Sequence, residues 1–353
     1  MEDDLYSDRY FVGGPTQHGP YSLMNVVGTE QQDNGPGVRL ALKLRSGAHA
    51  DLAPRLVVDG KLAPSDSKSY HGGTSSDEIA ALVALTLGVR LRAAGTSRLS
   101  GFHEPGVQRQ PILLEVWAPA TPGRPGNEFI PATTSRAADL SLLERMSGFP
   151  RIGEQDQVEL ARAARSYASG LWWSNEDPNQ SWLHLVTAVE IAANRRQKVA
   201  ATPEDLIKSL WPELWNVLAQ VEPAQRAQIS ELTAQQIRAT KKFVDFLAEC
   251  APTPPPVRPL HGALEWEKMR QHARRIYGHR SNALHGGKAF PLPMLDQPRT
   301  ESNGAIQEVP YGLSSSGLGG SWMADEAPLL LSTFEYIARG ALLHWWDELE
   351  SRQ

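Results

Sequence analysis

The chain has 353 residues, 41% of them hydrophobic, so it is longer than one typical domain and can fill a sizeable core. Its formal net charge of −5 excludes a protein coated in positive charge for unspecific nucleic-acid binding, so any contact with RNA must be local. The single cysteine, Cys250, excludes an intrachain disulfide and a cysteine-based zinc site, which agrees with a reducing compartment.

The N-terminus and the hydropathy pattern predict a cytoplasmic protein with no membrane partner. The first ten residues, MEDDLYSDRY, are acidic and lack the basic and then apolar pattern of a signal peptide. No apolar run approaches the roughly 18 residues that a membrane-spanning helix needs.

Residues 1–134 are predicted to form an α+β domain of unknown role, either a sensor or a unit that positions substrate. Turn residues separate its short β-like runs. These runs are residues 38–45, 55–58 and 111–117. One helix is predicted at about 77–93, with Ser75 or Ser76 as its N-cap. The domain is expected to end in a linker at 119–134 that is rich in Pro, Gly and Thr.

Residues 135–353 have a helical hydrophobic period almost throughout, which predicts an all-α helical bundle. The predicted helices cover about 155–171, a stretch from Asp177 onward, 233–249, 264–285 and 328–349. Proline removes backbone donors and restricts its predecessor, so the Pro-rich joint at 252–259 is expected to be extended. The segment 286–327 is predicted as a loop of about forty residues, a length that tends to be functional or disordered.

The segment 268–288, KMRQHARRIYGHRSNALHGGK, gathers six cations and three histidines in a net-acidic chain. No acid occurs between Glu267 and Asp296. Lysine and arginine supply most of the affinity for a polyphosphate backbone, so the segment is a candidate RNA-binding patch. The basic face of a solvated helix explains Arg270, Arg274 and Arg275 equally well.

Arg280 and His285 are the candidate catalytic pair. On a regular helix they project about 140° apart, and the Gly-Gly pair and prolines that follow end the helix, which leaves His285 in its last turn. There His285 is expected to move a proton while an RNA 2′-hydroxyl attacks the adjacent phosphate. Arg280 is expected to neutralise the pentacoordinate charge, so no metal or other cofactor is required. Asn282 and Ser281 are candidates for orienting the phosphate or His285.

The run RSNALHGG, preceded by IYGH, resembles the R-x4-6-H signature of HEPN domains and is closest to the Apea-like pattern Tyr-x-x-Arg-Ser-x-x-x-His-Gly. The likeness extends to LVTAVE at 185–190, FPLPM at 290–294 and ALLHWW at 341–346, which is roughly the C-terminal two thirds of the chain. The resemblance implies a helical bundle that dimerises so that two motifs face one cleft. It also implies metal-independent endoribonuclease activity and a role in toxin or anti-phage defence modules.

Carried over residue by residue, the resemblance assigns Arg280 and His285 to the motif itself. Glu190 matches a position where related sequences often carry an acid, and it is expected to orient Arg280. Five further residues of the segment are expected to bind substrate. These residues are Arg274, Arg275, Tyr277, Ser281 and Lys288. The expected partners are RNA, a second copy of the chain and a regulatory protein.

Two alternatives stay open. When only the spacing is considered and the surrounding sequence is left out, Arg280 is interpreted as a solvated arginine and His285 as a helix-capping histidine. A HEPN fold can also have lost cleavage and instead bind RNA, a nucleotide or a partner protein, because fold does not guarantee chemistry. This binding alternative gains weight if His285 lies buried away from any cleft. An unrelated Ser-His hydrolase is disfavoured because no G-x-S-x-G elbow occurs.

Overall fold

The computed structural model describes residues 2–18, 21–25, 39–46, 57–58, 61–62, 70–98, 128–133, 137–197, 202–311, 314–317 and 320–352. The chain forms two compact units. One unit contains Met1–His184 together with Trp346–Gln353, and the other contains Leu185–Trp345. This division differs from the boundary at residue 134 that the sequence predicts.

The described strands of the first unit are β1 (Glu2–Ser7), β2 (Phe11–Val12), β3 (Thr16–His18), β4 (Tyr21–Asn25), β5 (Arg39–Ser46), β6 (Val57–Val58), β7 (Lys61–Leu62), β8 (Arg92–Arg98) and β9 (Ala138–Asp139). The parallel pair β2-β9 and the antiparallel pair β6-β7 are separate from the main antiparallel sheet. Five strands pair in the order β3-β4-β5-β1-β8. Leu5 lies opposite Leu42, and Leu23 lies opposite Leu44, and all four are buried. These cross-strand pairs stabilise the sheet that the alternating pattern predicts.

The structure supports only part of the strand prediction. The run at 38–45 is confirmed as β5, and the run at 55–58 is described only at β6. The predicted strand at 111–117 and most of the predicted linker lie outside the described residues.

Helix α1 (Ser75–Leu87) lies where the sequence predicts a helix, but both of its predicted ends are wrong. The N-cap is Thr74, not Ser75 or Ser76, because the Thr74 side chain forms a reciprocal capping box with the third residue of the helix. The helix ends at Gly88, whose φ of 66° is left-handed, before β8 begins.

Helix α2 (Glu154–Trp173) belongs to the first unit, where a buried arginine contacts its C-terminal end. The Arg90 side chain is 1% exposed and forms an ion pair of 2.8 Å with Asp8. It also donates to the Leu171 carbonyl at 2.8 Å and to Ser174 Oγ at 2.7 Å. Residues more than 80 positions apart are thereby joined, and no local sequence pattern indicates such a contact.

The second unit is mostly helical. The helices that lie wholly or partly in it are α3 (Pro178–Arg196), α4 (Pro203–Leu210), α5 (Pro212–Leu218), α6 (Pro223–Cys250), α7 (Met269–Gly286) and α8 (Leu331–Ser351). The predicted helices that correspond to α2, α3, α7 and α8 are confirmed. Helix α6 begins ten residues before its predicted start, and α4 and α5 were not predicted.

An apolar stripe that begins just before α8 and continues along it is buried. Within the second unit it comprises Leu330, Phe334, Ile337, Ala341 and Trp345. The Pro-rich joint at 252–259 contains no helix or strand, as predicted. Among the helices of the described chain, none combines the length and the hydropathy that crossing a membrane requires.

The segment predicted as one long loop, 286–327, contains local structure. A short 3₁₀ helix covers Leu292–Leu295. An antiparallel hairpin follows, formed by β10 (Ser314–Gly317) and β11 (Gly320–Met323). These elements belong to the second unit and contribute to the cavity described below.

Candidate functional site

Helix α7 carries the whole motif in one continuous stretch. It follows a 3₁₀ turn at Trp266–Lys268 and ends at Gly286. Gly287 adopts a left-handed φ of 60°, and its N–H donates to the carbonyl of Asn282. This glycine cap places His285 in the last helical turn, as the sequence predicts. Since the helix is continuous up to this cap, Arg280 and His285 point about 140° apart.

The inner side of α7 forms a polar cluster with α3. Arg280 Nη2 donates to Glu190 Oε2 at 2.5 Å, and the Tyr277 hydroxyl donates to Glu190 Oε1 at 2.9 Å. The Arg280 guanidinium carbon lies 5.6 Å from the centre of the Tyr277 ring. That ring packs against Phe243 of α6, with 5.1 Å between the ring centres. We call Glu190, Tyr277 and Arg280 the inner cluster.

The inner cluster is largely shielded from water. The side chains of Arg280 and Glu190 are 20% and 13% exposed. Burial raises the pKa of Glu190, whereas the charge of Arg280 and hydrogen bonds from Tyr277 and Arg280 oppose that rise. Burial, followed by the charge of Glu190, raises the pKa of Tyr277 to about 12. Tyr277 therefore remains a hydrogen-bond donor to Glu190 throughout the physiological pH range.

Arg280 retains unused hydrogen-bonding capacity. Its Nε atom is buried and has no hydrogen-bond partner among the described residues. A buried donor without a partner costs free energy, and a phosphate oxygen is a chemically suitable acceptor for it. Glu190 fixes one edge of the guanidinium and leaves Nε unpaired.

The outer side of α7 is exposed and cationic. Arg274, Gly278, Asn282 and His285 are all exposed, and their spacing of four, four and three residues places them on one stripe. We call this stripe the outer face. Lys288 is also exposed, just beyond the end of the helix.

A groove of about 360 Å³ runs along the outer face. It is lined by Gln271, Arg274, Arg275, Gly278, His279 and Asn282. A Cβ atom at Gly278 would meet nothing within 4 Å, so the backbone is open to an approaching ligand at this point. His279 closes one wall, where its Nε2 lies 2.6 Å from the Glu326 carbonyl.

The structure brings some of the predicted site residues together and separates others. Glu190 and Arg280 form an ion pair, but His285 and Asn282 lie on the outer face. Tyr277, which was expected to bind substrate, is instead buried against Glu190. A single chain therefore does not join Arg280 and His285 in one site.

The remaining predicted substrate-binding residues have different surroundings. Arg275 forms an exposed ion pair of 3.1 Å with Asp325. Arg274 has no hydrogen bond or ion pair within the part of the chain that the structure describes, so its charge is available to a ligand. Ser281 is half-buried.

Sequence reasoning missed a second concavity of about 300 Å³ beside the first half of α7. Its lining includes Tyr311 and Trp322, which come from the segment predicted as a loop. Two aromatic residues within a stretch rich in Gly, Ser and Pro were the available signal. No period-based pattern indicates that they face α7.

No protein-family model, curated protein or solved structure matches the chain.

Proposed function

We propose that the protein is a metal-independent endoribonuclease of the HEPN type that acts in a toxin or anti-phage defence role. The observation that carries this proposal is the arrangement of α7. A shielded arginine is fixed by Glu190 on one side of the helix, while a solvent-exposed histidine lies in its last turn on the other. The acid-free cationic segment around them suits an RNA backbone.

The proposed chemistry is an internal transesterification. The 2′-oxygen forms a bond to the adjacent phosphorus, and the bond from phosphorus to the 5′-oxygen breaks. His285 accepts the proton of the 2′-hydroxyl and returns it to the departing 5′-oxygen. Arg280 donates to the phosphoryl oxygens, which carry the extra charge of the pentacoordinate state. The products are a 2′,3′-cyclic phosphate and a 5′-hydroxyl.

The angular separation of Arg280 and His285 motivates a homodimer as part of this proposal. Two copies related by a twofold axis would bring the histidine of one α7 towards the arginine of the other. Glu190 and Tyr277 would position Arg280 within each copy. A regulatory partner protein would act on this assembly.

The direct test uses the purified full-length protein, RNA and an excess of chelator. The protein is expected to cut the RNA and leave cyclic-phosphate ends, and Arg280→Ala and His285→Ala are each expected to stop cleavage. His261→Ala is the matched control, because His261 is also exposed in the second unit but lies outside α7. Unchanged cutting by both motif variants would remove the proposal.

The dimer is tested by mixing the two inactive variants. If each site combines Arg280 of one subunit with His285 of the other, a mixed dimer contains one intact site. Free exchange of subunits is then expected to restore about a quarter of wild-type activity. A mixture that stays inactive after mixed dimers have been demonstrated contradicts the shared site.

A second candidate function is RNA binding without cleavage. It is favoured by the divergence of Arg280 and His285 within one chain and by the neutralisation of Arg280 by Glu190. An inactive wild-type protein that binds single-stranded RNA with a steep salt dependence would support this alternative.

A further inference from the structure

The cavity beside the first half of α7 has a distinctive lining. Tyr311 and Trp322 contribute aromatic rings, and Met323 contributes an exposed thioether. His272 adds a third ring, and burial lowers its pKa, which favours the neutral imidazole. These rings and the thioether form an uncharged part of the wall, which suits a flat, neutral ring better than an anion. Charged residues line the rest of the cavity, namely Glu265, Lys268, Arg275 and Asp325.

Two cations border this uncharged wall. Lys268 forms an ion pair with Glu265, and Arg275 forms one with Asp325. Both pairs are exposed, and exposed pairs contribute little to stability. Either cation can therefore exchange its carboxylate for a phosphate at little cost. Aromatic surfaces bordered by cations are typical of sites that bind single-stranded nucleic acid.

The local backbone fixes the position of the Trp322 ring. A Cβ atom at Gly320 would lie 2.3 Å from Cη2 and 2.7 Å from Cζ2 of Trp322, so the ring packs directly over this glycine. Any side chain at position 320 would displace the ring. Trp322 therefore lines the cavity with limited freedom to move towards Gly320.

The cavity adjoins the groove on the outer face. Gln271 and Arg275 line both concavities, and the groove then passes Arg274 and reaches Asn282. Arg275 precedes His285 by ten residues, which corresponds to about 15 Å along the helix axis. An extended strand whose base occupies the cavity can thus follow α7 towards His285.

We propose that this cavity binds a nucleobase of a single-stranded RNA, stacked on Trp322, while the groove along α7 holds the strand's sugar-phosphate backbone. This inference rests on the proposed function, because it assigns a base-binding subsite to the same RNA substrate. The subsite lies away from His285, so it positions the strand and takes no part in the bond exchange.

The test measures the binding of two labelled single-stranded oligomers of equal length and charge, one base-bearing RNA and one abasic. The full-length His285→Ala protein is used so that no strand is cut. In this background, Trp322→Ala is expected to weaken binding of the base-bearing oligomer about 5- to 100-fold, because a stacking contact is lost. Binding of the abasic oligomer is expected to change little.

Three further variants separate stacking from a structural effect. Trp322→Phe retains an aromatic face and is expected to restore most of the preference for the base-bearing oligomer. Gly320→Ala displaces the ring and is expected to reduce that preference. Trp211→Ala removes an exposed tryptophan elsewhere in the second unit and is expected to change nothing. Equal weakening of both oligomers by Trp322→Ala would overturn the proposal, as would free nucleoside monophosphate binding as tightly as the RNA.

The outcomes distinguish this inference from the nuclease proposal. If the wild-type chain cuts no RNA but binds the base-bearing oligomer through Trp322, the nuclease proposal fails and the subsite stands. If the wild-type chain cuts RNA and Trp322→Ala leaves the preference for bases unchanged, the nuclease proposal stands and the subsite fails.

Discussion

The side chains on the inner side of α7 are packed against other residues of the same chain, whereas those on the outer face are exposed. On the inner side, Arg280 lies against Glu190 and Tyr277, and the tyrosine ring packs on Phe243. On the outer face, Arg274, Gly278, Asn282 and His285 are exposed to solvent. The comparison indicates that the fold of a single chain orients the arginine, whereas the histidine remains exposed to solvent. Changes on the inner side should therefore alter stability, and changes on the outer face should alter function alone.

The largest expected effect on stability is that of Arg280→Gln. Removing one member of a largely buried ion pair leaves Glu190 uncompensated, so we expect a loss of about 3 kcal/mol in the free energy of unfolding. Urea denaturation of the variant and wild type measures this loss. His285→Ala is the matched comparison and is expected to change stability by less than about 0.5 kcal/mol, because the histidine is exposed.

The same variant should have a characteristic pH dependence. Arg280 opposes the burial that raises the pKa of Glu190, so its removal raises that pKa further above the unfolded value. A carboxyl group whose folded-state pKa is raised stabilises the fold at low pH and loses that contribution as pH rises through the folded pKa. The destabilisation by Arg280→Gln should thus be greater at pH 8 than at pH 5. A destabilisation that is independent of pH would contradict the assigned role of Glu190.

An intermediate effect is expected from Tyr277→Phe. This change removes one hydrogen bond to a charged carboxyl group and retains the ring that packs on Phe243, so the expected loss is about 2 kcal/mol. Tyr336→Phe removes a hydrogen bond of 3.0 Å from an exposed hydroxyl to the Thr253 carbonyl, and it should cost less. If both variants unfold at the same urea concentration, the hydrogen bond to the charged Glu190 stabilises the fold no more than the hydrogen bond to a neutral carbonyl.

The two sides also differ in how far the sequence predicted them. Local signals in the sequence predicted that His285 lies in the last turn of α7, because the glycines that follow it end the helix. The contact between Glu190 and Arg280 joins residues 90 positions apart, and only the family resemblance pointed to it. Neither hydrophobic period nor composition contains such long-range information.

The fold shows the same limit. The helical period of hydrophobic residues and the capping residues predicted α2, α3 and α8, because these signals depend only on residues close together in the sequence. The end of α1 was placed beyond Gly88, since apolar residues continue past the glycine that terminates the helix. The cavity at Trp322 was missed because its walls come from segments some fifty residues apart, and one of those segments has no clear period.

The smallest expected effect separates two of the arginines on α7, Arg274 and Arg270. Arg274 is exposed and has no ion pair within the described ranges, whereas Arg270 is paired with Asp245. In the His285→Ala background, Arg274→Gln is expected to weaken RNA binding by less than tenfold. It should also reduce the slope of log affinity against log salt by about 0.7, the contribution of one phosphate contact to a single strand. Arg270→Gln should leave the slope unchanged, because the partner of Arg270, Asp245, is only 15% exposed and holds the arginine more firmly than an exposed carboxylate would. Equal slopes for both variants would show that the outer face has no particular role in contacting the backbone and that the patch acts only through its total charge.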